Sequence, residues 1–329
     1  MKKLFILLIL VLVLAGCGSK NGTNPDQDTN ETPVTVKAGV GSFTTVSSKD
    51  VVDGSGSAVA VTTYAAVVVD AEGIIQYVHF DTVQNTAKID GEGKVTLEAA
   101  ATKKEMSESY GMGVYAPKGE WDKQIGSLET YMVGKTIADM VTLSVDDAGK
   151  SVEADILSGC TVGINELLAA LDNANKNLTD VENVSKAYAG SYTSVSSKDV
   201  VDGTGSAEVV TTFGFTLTDA EDKIVYANFD TVQNTAKIDG EGKVTLEAAA
   251  TKKEKGDSYG MGAYAPNGEW YKQIAHLENT LTGKTIAEFT GAALDENGKS
   301  LDEDVLSGCT VHISEFVDTL NASFVTDLQ

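Results

Sequence analysis

Histidine, cysteine and cationic side chains are all scarce in this chain of 329 residues, and each shortage removes a class of function. The three histidines, His79, His276 and His312, stand opposite Asn228, Ser127 and Gly163 when the two halves of the chain are aligned. No histidine is duplicated and Cys-x-x-Cys-His is absent, which argues against a repeated metal or haem site. Cys160 and Cys309 are equivalent positions in separate halves, so no disulfide closes within either half. Lysine and arginine total 25 against 48 acids, a formal charge of −23. That excess argues against nucleic acid, and against anionic membrane surfaces or wall polymers, as partners. Long apolar runs are missing too: the one present, Leu4 to Leu14, is shorter than the ~20 residues of a spanning helix. The glycine strings DGSGS and DGEGK lack the strand-to-helix setting of a dinucleotide fingerprint. IDGEGKVTLE lacks the spacing of a calcium loop, and no Ser-His-Asp arrangement is repeated.

What the chain does have is a duplication. From Gly41 onward the two halves align at one constant offset without a gap, and Phe80 to Glu105 recurs letter for letter from Phe229 to Glu254. The period far exceeds the ~20–50 residues of solenoid units, so a whole domain is repeated. Each copy is roughly 140 residues, a size at which a domain buries about two-thirds of its unfolded surface. The chain then divides into an N-terminal segment 1–16, a polar tether 17–38, a domain 39–175, a polar linker 176–187 and a second domain 188–329.

Within copy one, AVVVDAEGIIQYVHFD reads as two β-runs around an Asp-Ala-Glu-Gly turn, a hairpin. Copy two repeats it as FGFTLTDAEDKIVYANFD, so the turn tolerates loss of its glycine. Trp121, Ile125, Leu128 and Met132 then form one stripe of a helix that stops at Gly134. A second helix carries Ile164, Leu167, Leu168 and Leu171 on one face. Strands come first, helices later, and no βαβ alternation appears. The expected fold is α+β, with an antiparallel sheet and packed helices in each copy.

Near the end of each copy stands ADILSGCTVG (Ala154 to Gly163) or EDVLSGCTVH (Glu303 to His312), opening an apolar-periodic helix. A phosphate site wants free backbone N–H groups, a glycine for close approach and a helix N-terminus, and this stretch offers all three. The competing reading is that Ser158 or Thr161 merely caps the helix, since serine and threonine are preferred there. The motif survives in both copies while its flanks drift, Gly163 becoming His312 and Asn165 becoming Ser314.

Two family resemblances follow from these strings. Lys2 and Lys3, the apolar run and Leu14-Ala15-Gly16-Cys17 resemble the signal peptide and lipobox of bacterial lipoproteins, in which the cysteine is acylated and becomes the first mature residue. The repeated motif resembles the Asp-x-x-Ser/Thr-Gly-Ala-Ser/Thr pattern of FMN-binding domains modified by a flavin transferase. ESYGMGVYAPKGEWDKQIGSLETYMVGKT and its second copy resemble the Tyr-Gly-Met … Glu-Trp … Gln … Gly-Lys-Thr region of the same family. Taken together, the chain is similar to the flavinylated lipoproteins with which Gram-positive bacteria carry out extracellular electron transfer.

That resemblance implies a covalent FMN joined through its phosphate to Thr161 and another to Thr310, taken from FAD by a magnesium-dependent transferase. It makes Asp155, Ser158 and Gly159, with Asp304, Ser307 and Gly308, the recognition and cradle positions. Cys160 and Cys309 replace the family's alanine, a small change for a residue that packs as a modest hydrophobe. Tyr110, Met112, Tyr259 and Met261 are candidates for ring contact, with plain packing as the alternative, and Tyr115 and Tyr264 recur beside them. For Trp121 and Trp270 the core reading is preferred; for Lys103, Lys104 and their copies, a solvated charge pair is preferred over contact with the phosphate. Lipidation at Cys17 would anchor the protein to the outer face of the cell membrane. The implied function is electron carriage, not enzymatic turnover, from a quinone-linked membrane donor to an extracellular acceptor such as ferric iron or soluble flavin. Two alternatives stay open. One is a duplicated surface-binding or adhesion module; the other is a signal peptide that yields a peptide pheromone.

Overall fold

The computed structural model describes residues 35–328, which fall within one compact unit. The N-terminal segment 1–16, Cys17 and most of the tether, for which a signal peptide and a lipidation site were expected, lie outside the described residues. Copy one runs β1 (Thr35–Val52), β2 (Ser55–Val69), β3 (Ile75–Asp90), β4 (Val95–Thr96), α1 (Lys103–Met106), α2 (Trp121–Met132), α3 (Ile137–Val141), α4 (Ala154–Leu157), α5 (Asn165–Lys176) and β5 (Thr179–Glu182). Copy two repeats the order as β6 (Lys186–Val201), β7 (Thr204–Thr218), β8 (Ile224–Asp239), β9 (Val244–Thr245), α6 (Lys252–Lys255), α7 (Trp270–Leu281), α8 (Ile286–Thr290), α9 (Glu303–Leu306), α10 (Ser314–Asn321) and β10 (Phe324–Asp327). Each half is a five-stranded antiparallel sheet packed against helices, in the orders β4-β3-β2-β1-β5 and β10-β6-β7-β8-β9. This is the α+β duplication expected from the sequence.

The hairpin turn forms where expected. Asp70 Oδ1 accepts the N–H groups of Glu72 and Ile74, and Gly73 takes φ +81°. In copy two Asp219 makes the same bonds to Glu221 and Lys223, and Asp222 adopts φ +60° in the glycine's place. Aspartate is one of the few side chains that enters this region at low cost, so the turn survives.

The run AAVVV at the end of β2 is buried on both faces, and its period of two says what each face meets. Ala65, Val67 and Val69 pack under the helices with Ile125, Leu128 and Leu171. Tyr64, Ala66 and Val68 turn the other way and share a core with Phe213, Phe215 and Leu217 of copy two. Tyr64 stacks on Phe213 with ring centroids 6.1 Å apart, and Tyr77 on Phe215 at 5.8 Å. The two sheets therefore lie back to back between two outer helical layers. Polar contacts at the seam come in matched pairs. Val51 N–H donates to Gly242 O and Val200 N–H to Gly93 O; Val95 N–H donates to Asp199 Oδ1 and Val244 N–H to Asp50 Oδ1. Such reciprocity is what a two-fold contact between like units gives.

Both expected helices bury their expected stripes. Trp121, Ile125, Leu128 and Met132 are buried on α2, and Leu167, Leu168 and Leu171 on α5. The α5 backbone crosses β1 so closely that a Cβ on Gly41 would run into Ala174, which only glycine avoids. Two boundaries differ from the sequence reading. Residues 35–38 of the tether and 179–182 of the linker are strand, paired with each other from Thr35↔Glu182 to Ala38↔Thr179. The linker strand forms the sheet edge with Thr179, Asp180 and Glu182 exposed and only Val181 buried, a pattern that an apolar-period search does not detect.

Candidate functional site

The N-terminus of α2 organises one side of the site. Glu120, its N-cap, accepts Met112 N–H (2.9 Å) on Oε2 and Gly113 N–H (2.7 Å) on Oε1. Glu269 does the same for Met261 (3.0 Å) and Gly262 (2.8 Å). The Tyr-Gly-Met-Gly stretch is thereby held as two 3-10 turns hinged at Gly111, φ +76°, and at Gly260, φ +82°. Tyr110, Met112, Tyr259 and Met261 are partly buried against the helical cores. Tyr115 and Tyr264 are 79 % and 78 % exposed.

The paired lysines are not the solvated pair that the sequence suggested. Lys103 places its ammonium 5.3 Å from the Trp121 ring centroid and 5.5 Å from that of Tyr110. Lys252 sits likewise over Trp270 and Tyr259 at 5.2 and 5.5 Å, a cation–π arrangement. Burial pushes both ammoniums below the usual lysine range, against nearby carboxylates led by Glu166 and Glu315. Lys104 turns inward to Glu129 at 2.6 Å and to His79 Nδ1 at 3.2 Å. Glu129 also accepts Phe80 N–H, and burial raises its carboxyl despite the lysine. These lysines are the two middle positions of a Thr-x-x-Glu capping box on α1 and α6, which fixes where they emerge.

The repeated motif lies between two helices instead of opening one. Ser158 ends α4, Cys160 is buried, and α5 begins only at Asn165 with Ile164 as an N-cap that makes no side-chain bond. Copy two is the same, with Ile313 as N-cap. Neither Thr161 nor Thr310 caps a helix. Each gives both its backbone N–H and its hydroxyl to one buried oxygen: Gln124 Oε1 (2.8 and 3.0 Å) or Gln273 Oε1 (2.9 and 3.2 Å). Gln124 and Gln273 are 0 % exposed, and each amide is fixed by donating Nε2–H to the carbonyl of Gly119 or Gly268.

The other motif positions take different places. Asp155, Ser158, Asp304 and Ser307 are exposed, each serine donating to the aspartate's backbone carbonyl. Gly159 is required by packing: a Cβ there would stand 2.7 Å from Ser127 Cβ on α2, and one on Gly308 would strike the His276 ring. Burial pushes the Cys160 thiol up and that of Cys309 to about 11, as expected of an inert packing residue.

In copy two these parts converge on one open cleft of about 440 Å³, the size of an ordinary small-molecule site. Thr310, Tyr259, Met261, Lys252 and Trp270 line it, joined by Glu208 and His312. Asp304, Ser307 and Gly308 are not among its lining residues. Trp270 is at once a core residue and a wall of the cleft.

The glutamines were missed as site residues, although a signal was there. Gln124 sits three residues after Trp121 on an otherwise apolar stripe, where a polar side chain needs a reason. Glu120 and Glu269 were equally legible, as acids directly before a helix. Protein-family models, curated proteins and solved structures yield no match to this chain.

Proposed function

We propose that this protein is a lipid-anchored, extracellular electron carrier holding one FMN in each domain, esterified through its phosphate to Thr161 and Thr310. The observation that carries the reading is the placement of Thr310. Its hydroxyl is held by a buried glutamine at a cleft faced by Tyr259, Met261, Trp270 and Lys252. The fit is chemical as well as spatial. Aromatic and thioether surfaces suit a flat ring, while the half-buried Lys252 supplies a cation to an anionic ligand. The bound flavin supplies reversible uptake of electrons; the protein's part is to position it and set its surroundings. A cofactor held outside the cell meets little free ligand, so a covalent ester prevents the loss that any ordinary dissociation constant implies.

The exposed Asp155, Ser158, Asp304 and Ser307 suit recognition by the modifying transferase better than contact with the cofactor. Membrane anchoring through Cys17, a quinone-linked donor and ferric iron as acceptor complete the reading, which assigns the chain no substrate turnover of its own.

Intact mass of the native protein tests it. Two FMN-sized additions are expected, and peptide mapping should place them on the fragments containing Thr161 and Thr310. Flavin found elsewhere, or bound only non-covalently, overturns the assignment. A colourless protein from its native host would favour a duplicated surface-binding module.

A further inference from the structure

The buried glutamine on α2 and α7 makes more contacts with the threonine than packing requires. Gln124 lies among Trp121, Ile125 and Leu128, where an apolar side chain would serve a core. A buried carboxamide costs stability unless its hydrogen bonds are made. Here they are made, and two of them go to one residue: Oε1 accepts both Thr161 N–H and Thr161 Oγ1–H. Copy two repeats the arrangement within a few tenths of an ångström. Because the hydroxyl hydrogen points inward at Oε1, the oxygen's lone pairs face away from the glutamine. In copy two that threonine lines the open cleft. Threonine is stiff at χ1, so holding its N–H and its hydroxyl together leaves the oxygen little freedom.

We propose that Gln124 and Gln273 are positioning residues that present the Thr161 and Thr310 hydroxyls for esterification. The proposal rests on the flavin reading and specifies how the chain takes part in its own modification. In that step the threonine Oγ1–P bond forms, the phosphoanhydride bond of the FAD donor breaks, and AMP leaves. The hydroxyl proton passes to a base of the transferase, because a carboxamide oxygen is too weak a base to take it. No electrons are transferred. Once the ester has formed, Oγ1 has no hydrogen to give, and Oε1 keeps the backbone N–H alone. The glutamine therefore remains satisfied in the product, which a residue dedicated to the hydroxyl would not.

Steady-state modification by the purified magnesium-dependent transferase with FAD tests this, using chain that carries Thr310→Ala so that Thr161 alone reports. Gln124→Leu keeps the volume and removes the acceptor. It is expected to lower kcat by at least ~tenfold, since small displacements of a reacting atom cost that much, while KM stays nearly constant. An unchanged kcat, or an effect confined to KM, overturns the proposal. Gln124→Glu guards against a folding defect. Its protonated form matches glutamine in shape and acceptor, whereas its ionised form sets a negative charge beside the incoming phosphate. Its rate relative to the unsubstituted chain should rise as pH falls; a flat ratio overturns the positioning role. If the unsubstituted chain takes no flavin, the flavin reading fails and the proposal with it. If every variant is modified equally, the proposal fails alone.

Discussion

The two copies are identical from Phe80 to Glu105 and from Phe229 to Glu254, yet the same lysine has different company in each. Lys104 bonds Glu129 and the ring nitrogen of His79, which in turn contacts Tyr64 OH at 3.3 Å. Lys253 bonds Glu278 and the Asn228 carbonyl, and Phe213 stands where Tyr64 does. An asparagine oxygen accepts at any pH, whereas His79 Nδ1 accepts only while the ring is neutral. Burial and the Lys104 charge both hold His79 well below the usual histidine range. A segment of fixed sequence thus becomes pH-sensitive in one copy through a single neighbour. The surroundings of the two motif threonines differ in the same manner. Glu208 lines the site in copy two, its carboxylate fixed by Gln233 and Thr235, and the equivalent residue in copy one is Val59.

The sharpest test of equivalence between the copies is removal of one proposed attachment residue. On the proposed reading Thr161→Ala abolishes one FMN and Thr310→Ala the other, by intact mass, with the second site still occupied. Stability should fall by only ~1 kcal/mol, because one hydroxyl hydrogen bond is lost and the backbone N–H bond stays. Loss of both flavins from either single variant would mean that the shared core couples the sites.

Breaking the inner ion pairs should come next in size. Lys104→Met leaves Glu129 buried without a cation, and removing one partner of such a pair costs ~3–5 kcal/mol. Lys253→Met should cost less, since the Lys253 side chain is 26 % exposed against 11 % for Lys104. Urea unfolding of the two variants compares them directly; equal losses would show that solvent access does not set the difference.

The pH dependence of copy one includes two opposed groups beside the raised Glu129 carboxyl. His79 has a depressed folded pKa, so the unfolded chain binds its proton more readily, and stability is lost as pH falls through about 6.5. Asp81, wholly buried, is pushed up to about 6 by burial, so its folded form binds the proton more readily than the unfolded one. Its effect is the reverse: stability is lost as pH rises from about 4 to 6. Melting curves across pH 4–8 should show His79→Asn reducing the loss on acidification. Asp81→Asn should instead reduce the loss between pH 4 and 6 as pH rises, and raise stability at pH 7. Opposite signs would mean that hydrogen bonding, not burial, controls these groups.

The smallest expected effect separates Tyr259 from its counterpart Tyr110. Burial and then Glu208 raise the Tyr259 phenol. Glu208→Val should lower the pH at which Tyr259 ionises, read by tyrosinate absorbance, and leave Tyr110 unmoved. No change at Tyr259 would show that the carboxylate's field does not reach the cleft.

Much of the fold was legible because it is periodic. The stripe on α2, the face of α5 and the Asp-x-x-Gly turn are statements about residues a few positions apart. Thr161 and Thr310 stood out because the motif that holds them occurs twice. Gln124 and Gln273 were not read as site residues, because nothing within their own helix shows what a carboxamide on its apolar stripe meets. Lys103 and Lys104 looked like surface charges for the same reason: adjacent on the chain, one rises over Trp121 while the other turns inward to Glu129.

By itself the sequence determined two α+β units, their order of strands and helices, and the residues that recur in both. Tertiary structure decided that the two units share a core, that tether and linker residues close the sheet edge, and that a glutamine far along the chain holds each threonine. The reason is physical. Helix and strand periods arise from neighbours along the backbone, so they are written locally. An apolar run such as AAVVV specifies burial on both faces without naming what covers either one. A hydrogen bond between Gln124 and Thr161 exists only after separate elements have packed and brought donor and acceptor together.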